Sequence, residues 1–169
     1  GKRLVVNQAW TKSEIGIYNL DDPYSLFRMA TIRINLADQE RLVFSGWIPT
    51  LGERHVYLPN GHGISDYSME SGNEDGYLML PERVAVTANS FFYDNNILYI
   101  PGYSHVYRVN VTDPTNPQLI DIIEVTRDLR ANGIFSLWVE NKILYVLRKN
   151  QFFDRGTENG FVLTLVRLP

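Results

Sequence analysis

The sequence predicts an all-β fold made of repeated, four-stranded antiparallel units. Three observations lead there. Phe91-Phe92-Tyr93-Asp94-Asn95-Asn96-Ile97-Leu98-Tyr99-Ile100 recurs as Leu137-Trp138-Val139-Glu140-Asn141-Lys142-Ile143-Leu144-Tyr145-Val146, an offset of about 46 residues that is typical of the blades of a β-propeller. Asn19-Leu20-Asp21-Asp22-Pro23 recurs as Asn110-Val111-Thr112-Asp113-Pro114, about two such periods on. No 3.6-residue apolar pattern persists for three turns, so almost no helix is expected.

Each element has its own reason. Residues 2–7 are a strand in which Leu4-Val5-Val6-Asn7 is a first copy of the repeated run. Residues 9–14 are a polar loop holding Trp10, residues 15–20 a strand, Asp21-Asp22-Pro23 a turn and residues 26–35 a strand. A loop at 37–40 leads to a second unit, which begins at 42–48 and turns at 52–54 into a strand at 55–59. There Val56-Tyr57-Leu58-Pro59 echoes Leu98-Tyr99-Ile100-Pro101. Asn60-Gly61-His62-Gly63 is a tight turn. Residues 64–69 are a strand, 70–76 a polar acidic loop, and 77–86 a strand whose Pro81 marks a bulge or edge. The third unit runs from 90 to 126, followed by a loop at 127–132. The fourth holds strands at 134–141 and 142–148, a long loop at 149–160 and a last strand at 161–168. The approximate units are 1–40, 41–88, 89–132 and 133–169. Asp-Asn and Glu-Asn turns suit hairpins, because Asn and Asp tolerate positive φ. Proline ends each third strand because it lacks the N–H that a ladder needs.

The run Leu98-Tyr99-Ile100, with Val106-Tyr107-Arg108-Val109-Asn110-Val111-Thr112-Asp113-Pro114-Thr115-Asn116-Pro117-Gln118-Leu119, resembles the secreted β-propeller families whose repeats are rich in Leu-Val-Ile-Val-Asp and carry an x-Val-x-Asp-Pro-x-x-Pro signature. The match is sharp over 98–124 and partial over 15–34 and 137–168. The resemblance implies WD40-like blades and an extracytoplasmic protein: secreted, periplasmic or at the cell surface. It also implies that the loops joining second to third strands, and one blade to the next, share a face around a central channel. On that mapping the binding residues are Trp10, His62, Tyr103, Arg127, Arg130, Arg148 and Phe152, with Asp128 and Phe153 beside them. Three and a half units make a partial propeller. Its ring is expected to be completed by remaining blades, by a protein partner or by a second copy in a homodimer.

Composition narrows the function. With 169 residues, 44% hydrophobic and 12% aromatic, the chain can bury a sizeable core. A net charge of −3 argues against a nucleic-acid binder, and no apolar run reaches a membrane-spanning length. The absence of cysteine excludes disulfides and thiolate chemistry. His55, His62 and His105 lack the spacing of a zinc site, and Asn110-Val111-Thr112 is a glycosylation sequon. No catalytic residue, cofactor or metal is assigned. The alternative for the last is calcium at residues 70–75, through Glu70, Asn73, Glu74 and Asp75. The expected function is a non-enzymatic interaction module that binds protein, or secondarily glycan, through loops on one face. The alternative is part of a propeller hydrolase with its site on the channel, drawing on His62 paired with Asp66, and on Glu74 and Arg148.

Overall fold

The computed structural model describes residues 2–7, 14–22, 24–33, 49–60, 63–81, 91–125, 132–150 and 160–169. Among these there are four antiparallel sheets and no helix. The first sheet holds β1 (Arg3–Asn7), β2 (Glu14–Asn19) and β3 (Phe27–Arg33) in that order. The second holds β4 (Thr50–Leu51), β5 (His55–Asn60), β6 (Gly63–Ser68) and β7 (Glu74–Met79). The third holds β8 (Phe92–Asp94), β9 (Ile97–Pro101), β10 (His105–Asn110) and β11 (Gln118–Glu124). The fourth holds β12 (Asn132–Glu140), β13 (Ile143–Asn150) and β14 (Gly160–Arg167). Each sheet is a simple meander.

The sequence repeat is a repeat of register. Leu4 pairs Tyr18, Val56 pairs Tyr67, Leu98 pairs Val109 and Leu144 pairs Val166, each at the same place in its sheet. The same backbone bond closes all four hairpins: Leu20 N to Lys2 O (3.0 Å), Met69 N to Arg54 O (2.9 Å), Val111 N to Asn96 O (2.9 Å) and Leu168 N to Lys142 O (2.8 Å). The Asn-containing turns adopt the positive φ that their sequence requires, at Asn95, Asn96, Asn141 and Lys142. The Asp-Pro turns match atom by atom. Asn19 Oδ1 accepts from Asp21 N and Asn110 Oδ1 from Thr112 N, both at 2.9 Å. Asp22 Oδ1 accepts from Tyr24 N at 2.9 Å and Asp113 Oδ1 from Thr115 N at 3.0 Å. These carboxylates serve turns. The Asn110 amide of the sequon is engaged in the same way.

Two loops are shorter than the sequence suggested. The acidic stretch at 70–76 is already strand from Glu74, because Ser68 Oγ accepts from Glu70 N and Ser71 N (3.1 and 3.3 Å) and turns the chain tightly. The strand that the sequence ended at 148 continues through Asn150.

The core lies between consecutive sheets. Ile15, Ile17 and Ile32 of the first sheet meet Val56, Leu58 and Met69 of the second. Tyr57 and Ile64 of the second meet Leu98, Ile100, Tyr107 and Val109 of the third. Tyr99 and Val106 of the third meet Leu137, Leu144 and Val146 of the fourth. Successive residues of β5 and β9 therefore face opposite neighbours, which is the period-two geometry of a strand buried on both sides. The first strands of the last three sheets adjoin one another, β4 against β8 and β8 against β12, and Thr50 Oγ1 donates to Phe91 O at 3.1 Å.

Candidate functional site

One position in the repeat changes character from sheet to sheet. Opposite Val5 of β1, Tyr57 of β5, Tyr99 of β9 and Tyr145 of β13 stand Ile17 of β2, Asp66 of β6, Arg108 of β10 and Leu165 of β14. The two central sheets place a charge where the outer sheets place an aliphatic side chain. A buried charge is costly unless partnered, so these two positions are the natural candidates for a site.

Asp66 is 1% exposed and sits between the second and third sheets. Its partner is His55, whose Nδ1 lies 2.8 Å from Asp66 Oδ1. Asp75 approaches the same ring nitrogen at 3.6 Å. It is brought there by a β-bulge, since the pairing of Asp66 with Gly76 and of Tyr67 with Glu74 leaves Asp75 unpaired and re-aimed. Tyr57 stacks on Tyr93 with ring centres 5.9 Å apart, and together they wall the cluster. Gly52 passes beneath them, where a Cβ would be 3.0 Å from the Tyr57 ring. Burial pushes the Asp66 carboxyl up to about 6. His55 opposes the rise, by charge and by hydrogen bond, and Asp75 adds to it. Burial, and then the Asp66 charge, push the Tyr57 hydroxyl up. Asp66 Oδ2 is buried with no hydrogen-bond partner. This arrangement can hold and move one proton near neutral pH.

In the third sheet, Arg108 Nη1 donates to Asp121 Oδ2 at 2.8 Å. Here again a bulge follows, between Arg108 and Val109.

The acid–base partner that the sequence suggested for Asp66 was His62, which lies outside the described residues; the histidine bonded to Asp66 is His55. Gly-x-x-His-Val-Tyr occurs at residues 52–57 and again at 102–107, and both copies make the same turn, Gly52 N to His55 O (2.9 Å) and Gly102 N to His105 O (2.8 Å). Of the residues suggested for calcium, Glu70 pairs with Arg54 across the turn and Asp75 faces His55. Among the described residues no group of three metal-ligating side chains converges.

Of the loop residues expected to bind, Trp10, His62, Arg127, Arg130 and Phe152 lie outside the described residues, as do Asp128 and Phe153. Tyr103 is 53% exposed on the turn between β9 and β10. Arg148 is half-buried near the end of β13, at the place in its sheet that Gly102 holds in the third. Its Nη2 lies 3.4 Å from Thr164 Oγ1, and its Nε has no partner. Tyr103 and Arg148 thus mark the same end of adjacent sheets. The His55 cluster lies toward the other end, where β5 begins.

No family model and no curated protein matches the chain. Solved structures do resemble it. One is a chain of the S. cerevisiae complex of a dbp5 variant bound to nup159, a gle1 variant, IP6 and ADP, with a TM-score of 0.59 and 9% identity over 99% of this chain and 42% of that one. Another is Myxococcus xanthus glutaminyl cyclase, with a TM-score of 0.51 and 15% identity over 98% of this chain and 70% of that one. The chain thus spans less than half the length of the first, and at these identities the likeness concerns the fold alone.

Proposed function

We propose that the chain is a segment of a β-propeller in an exported protein and works as a non-enzymatic interaction module. It binds protein, with glycan as the secondary ligand class, through the end of the sheets marked by Tyr103. Three features support the architectural part of this reading. The sheets stack face to face in chain order, the first strands of the last three adjoin, and the same register recurs in each. Blades set around an axis have these properties.

The binding part rests on one observation, an exposed aromatic ring at Tyr103 at the same end of the sheets as the half-buried side chain of Arg148. Rigid aromatics and partly desolvated arginines are the anchors that interfaces use most. A guanidinium suits a carboxylate or a peptide carbonyl.

Selection from a displayed library of random dodecapeptides, followed by affinity measurement, tests the reading. Enriched peptides should bind the Tyr103→Ala and Arg148→Ala variants at least ~10-fold more weakly, the tenfold corresponding to about 1.4 kcal/mol. Enriched peptides that bind both variants as well as the parent, or no enrichment at all, would overturn it.

A further inference from the structure

We propose that Asn110 is an acceptor for an N-linked glycan, carried at the end of the third sheet that lies away from Tyr103. The inference rests on the exported-protein part of the reading above, and not on loop binding.

Asn110-Val111-Thr112 is the one Asn-x-Ser/Thr tripeptide in the chain, and neither its middle residue nor the residue after Thr112 is proline. Strand alternation sorts its side chains. Val109 and Val111 are buried in the core between the second and third sheets, whereas Asn110 and Thr112 are exposed. Both polar groups of the tripeptide therefore face solvent, and the valine between them anchors the backbone. The chain is already turned there, because Asn110 Oδ1 accepts from Thr112 N at 2.9 Å. That bond occupies the carbonyl of the amide and draws charge from its nitrogen, which makes the Nδ2 hydrogens more acidic. Among the described residues, neither Nδ2 of Asn110 nor the Thr112 hydroxyl has a hydrogen-bond partner. In the transfer, Nδ2 forms a bond to the anomeric carbon of an oligosaccharide carried on a polyprenyl diphosphate. The bond from that carbon to the diphosphate oxygen breaks, the lipid diphosphate leaves, and a base of the transferase takes the amide proton. The product is a bulky, solubilising surface group.

The repeat supplies an internal comparison. Asn19 Oδ1 accepts from Asp21 N, also at 2.9 Å, so the first sheet makes the same turn. There residue 21 is an aspartate whose Oδ1 accepts from Lys2 N at 2.9 Å. A carboxylate stands where the third sheet has an exposed hydroxyl. The first sheet thus keeps the turn and lacks the acceptor signal. Placement on the molecule matters as well. Asn110 ends β10, and Tyr103 lies just before its start. The six residues of β10 separate the two ends by roughly 17 Å. A glycan at Asn110 therefore leaves the Tyr103 end uncovered.

Expression of the 169-residue chain behind a secretory leader in cultured mammalian cells tests this, with intact mass read before and after treatment with peptide N-glycosidase. Mass is read on the secreted chain and on the chain retained in the secretory compartments, so that a folding failure does not hide the result. Most molecules should carry one glycan, which the glycosidase removes. Asn110→Asp keeps an oxygen that accepts from Thr112 N but has no Nδ2, so it should keep the fold and carry no glycan. Thr112→Ala should lose the glycan as well, and Thr112→Ser should keep it at lower occupancy. Asp21→Thr completes the tripeptide in the matching turn of the first sheet and should add a second glycan. A chain unmodified in both fractions would overturn the proposal, as would a glycan that persists in Asn110→Asp. Because the leader supplies export, either result counts against the acceptor site and leaves the exported-protein reading, and peptide binding at Tyr103, to their own tests.

Discussion

Asp66 stands where the corresponding residues of the first and fourth sheets are Ile17 and Leu165, and its burial is the source of its raised pKa of about 6. The sign of the effect on stability follows. Between about pH 4 and 6 the folded chain holds a proton that the unfolded chain has released, so this group's contribution to stability is greatest at low pH and is lost as pH rises through 6. Asp66→Asn keeps the shape, still accepts from His55 and does not titrate. In urea unfolding from pH 4 to 7, the stability difference should move in the variant's favour as pH rises, by up to about 3 kcal/mol. A difference constant with pH would show that Asp66 does not titrate in this window. The alternation along β6 already set Asp66 on the face of Ile64, so its burial was legible. Its partner was not, because the link to His55 crosses two strands and the reach of Asp75 depends on a bulge that no residue type announces.

At the scale of the element, the hairpin turns carry the clearest code. Asn95, Asn96 and Asn141 sit at φ between 48° and 61°, a region where Asn is at home. Lys142 occupies the same region at φ 60° without that advantage. Lys142→Gly should therefore raise stability by roughly 1 kcal/mol, and Asn95→Val should lower it by about 1–2 kcal/mol, in thermal or urea unfolding. Equal signs for the two would show that the turn conformation is not what limits these hairpins. The Asp-Pro turns were equally readable, since an Asx side chain bonds two residues ahead whatever surrounds it. The start of β7 was not, because the Ser68 hydroxyl that tightens the turn before it looks in sequence like any polar loop residue.

Across the whole molecule, sheets interlock as well as stack. The backbone of Gly76 in β7 lies against the turn before β11, where a Cβ would come within 2.1 Å of Pro114 O. Gly76→Ala should cost about 2 kcal/mol, because the neighbouring atom is backbone and cannot step aside. Gly160→Ala should change stability by less than about 0.5 kcal/mol, since nothing lies within 4 Å of the added methyl. Equal effects from the two would mean that the second and third sheets do not bear on each other at that point.

What the sequence determined by itself is whatever is local and periodic: the all-β class, the hairpin turns, the Asp-Pro stops and which residues of a strand share a face. These follow from single-residue conformational preference and a period of two, and they hold in any surroundings. The tertiary structure decided what depends on neighbours far along the chain. It paired Asp66 with His55 and Arg108 with Asp121. It buried Ile15 and Ile64 yet left Leu163 and Leu165 open, although their positions in the repeat are the same. Burial belongs to the pair of faces that meet, and no strand carries that information alone.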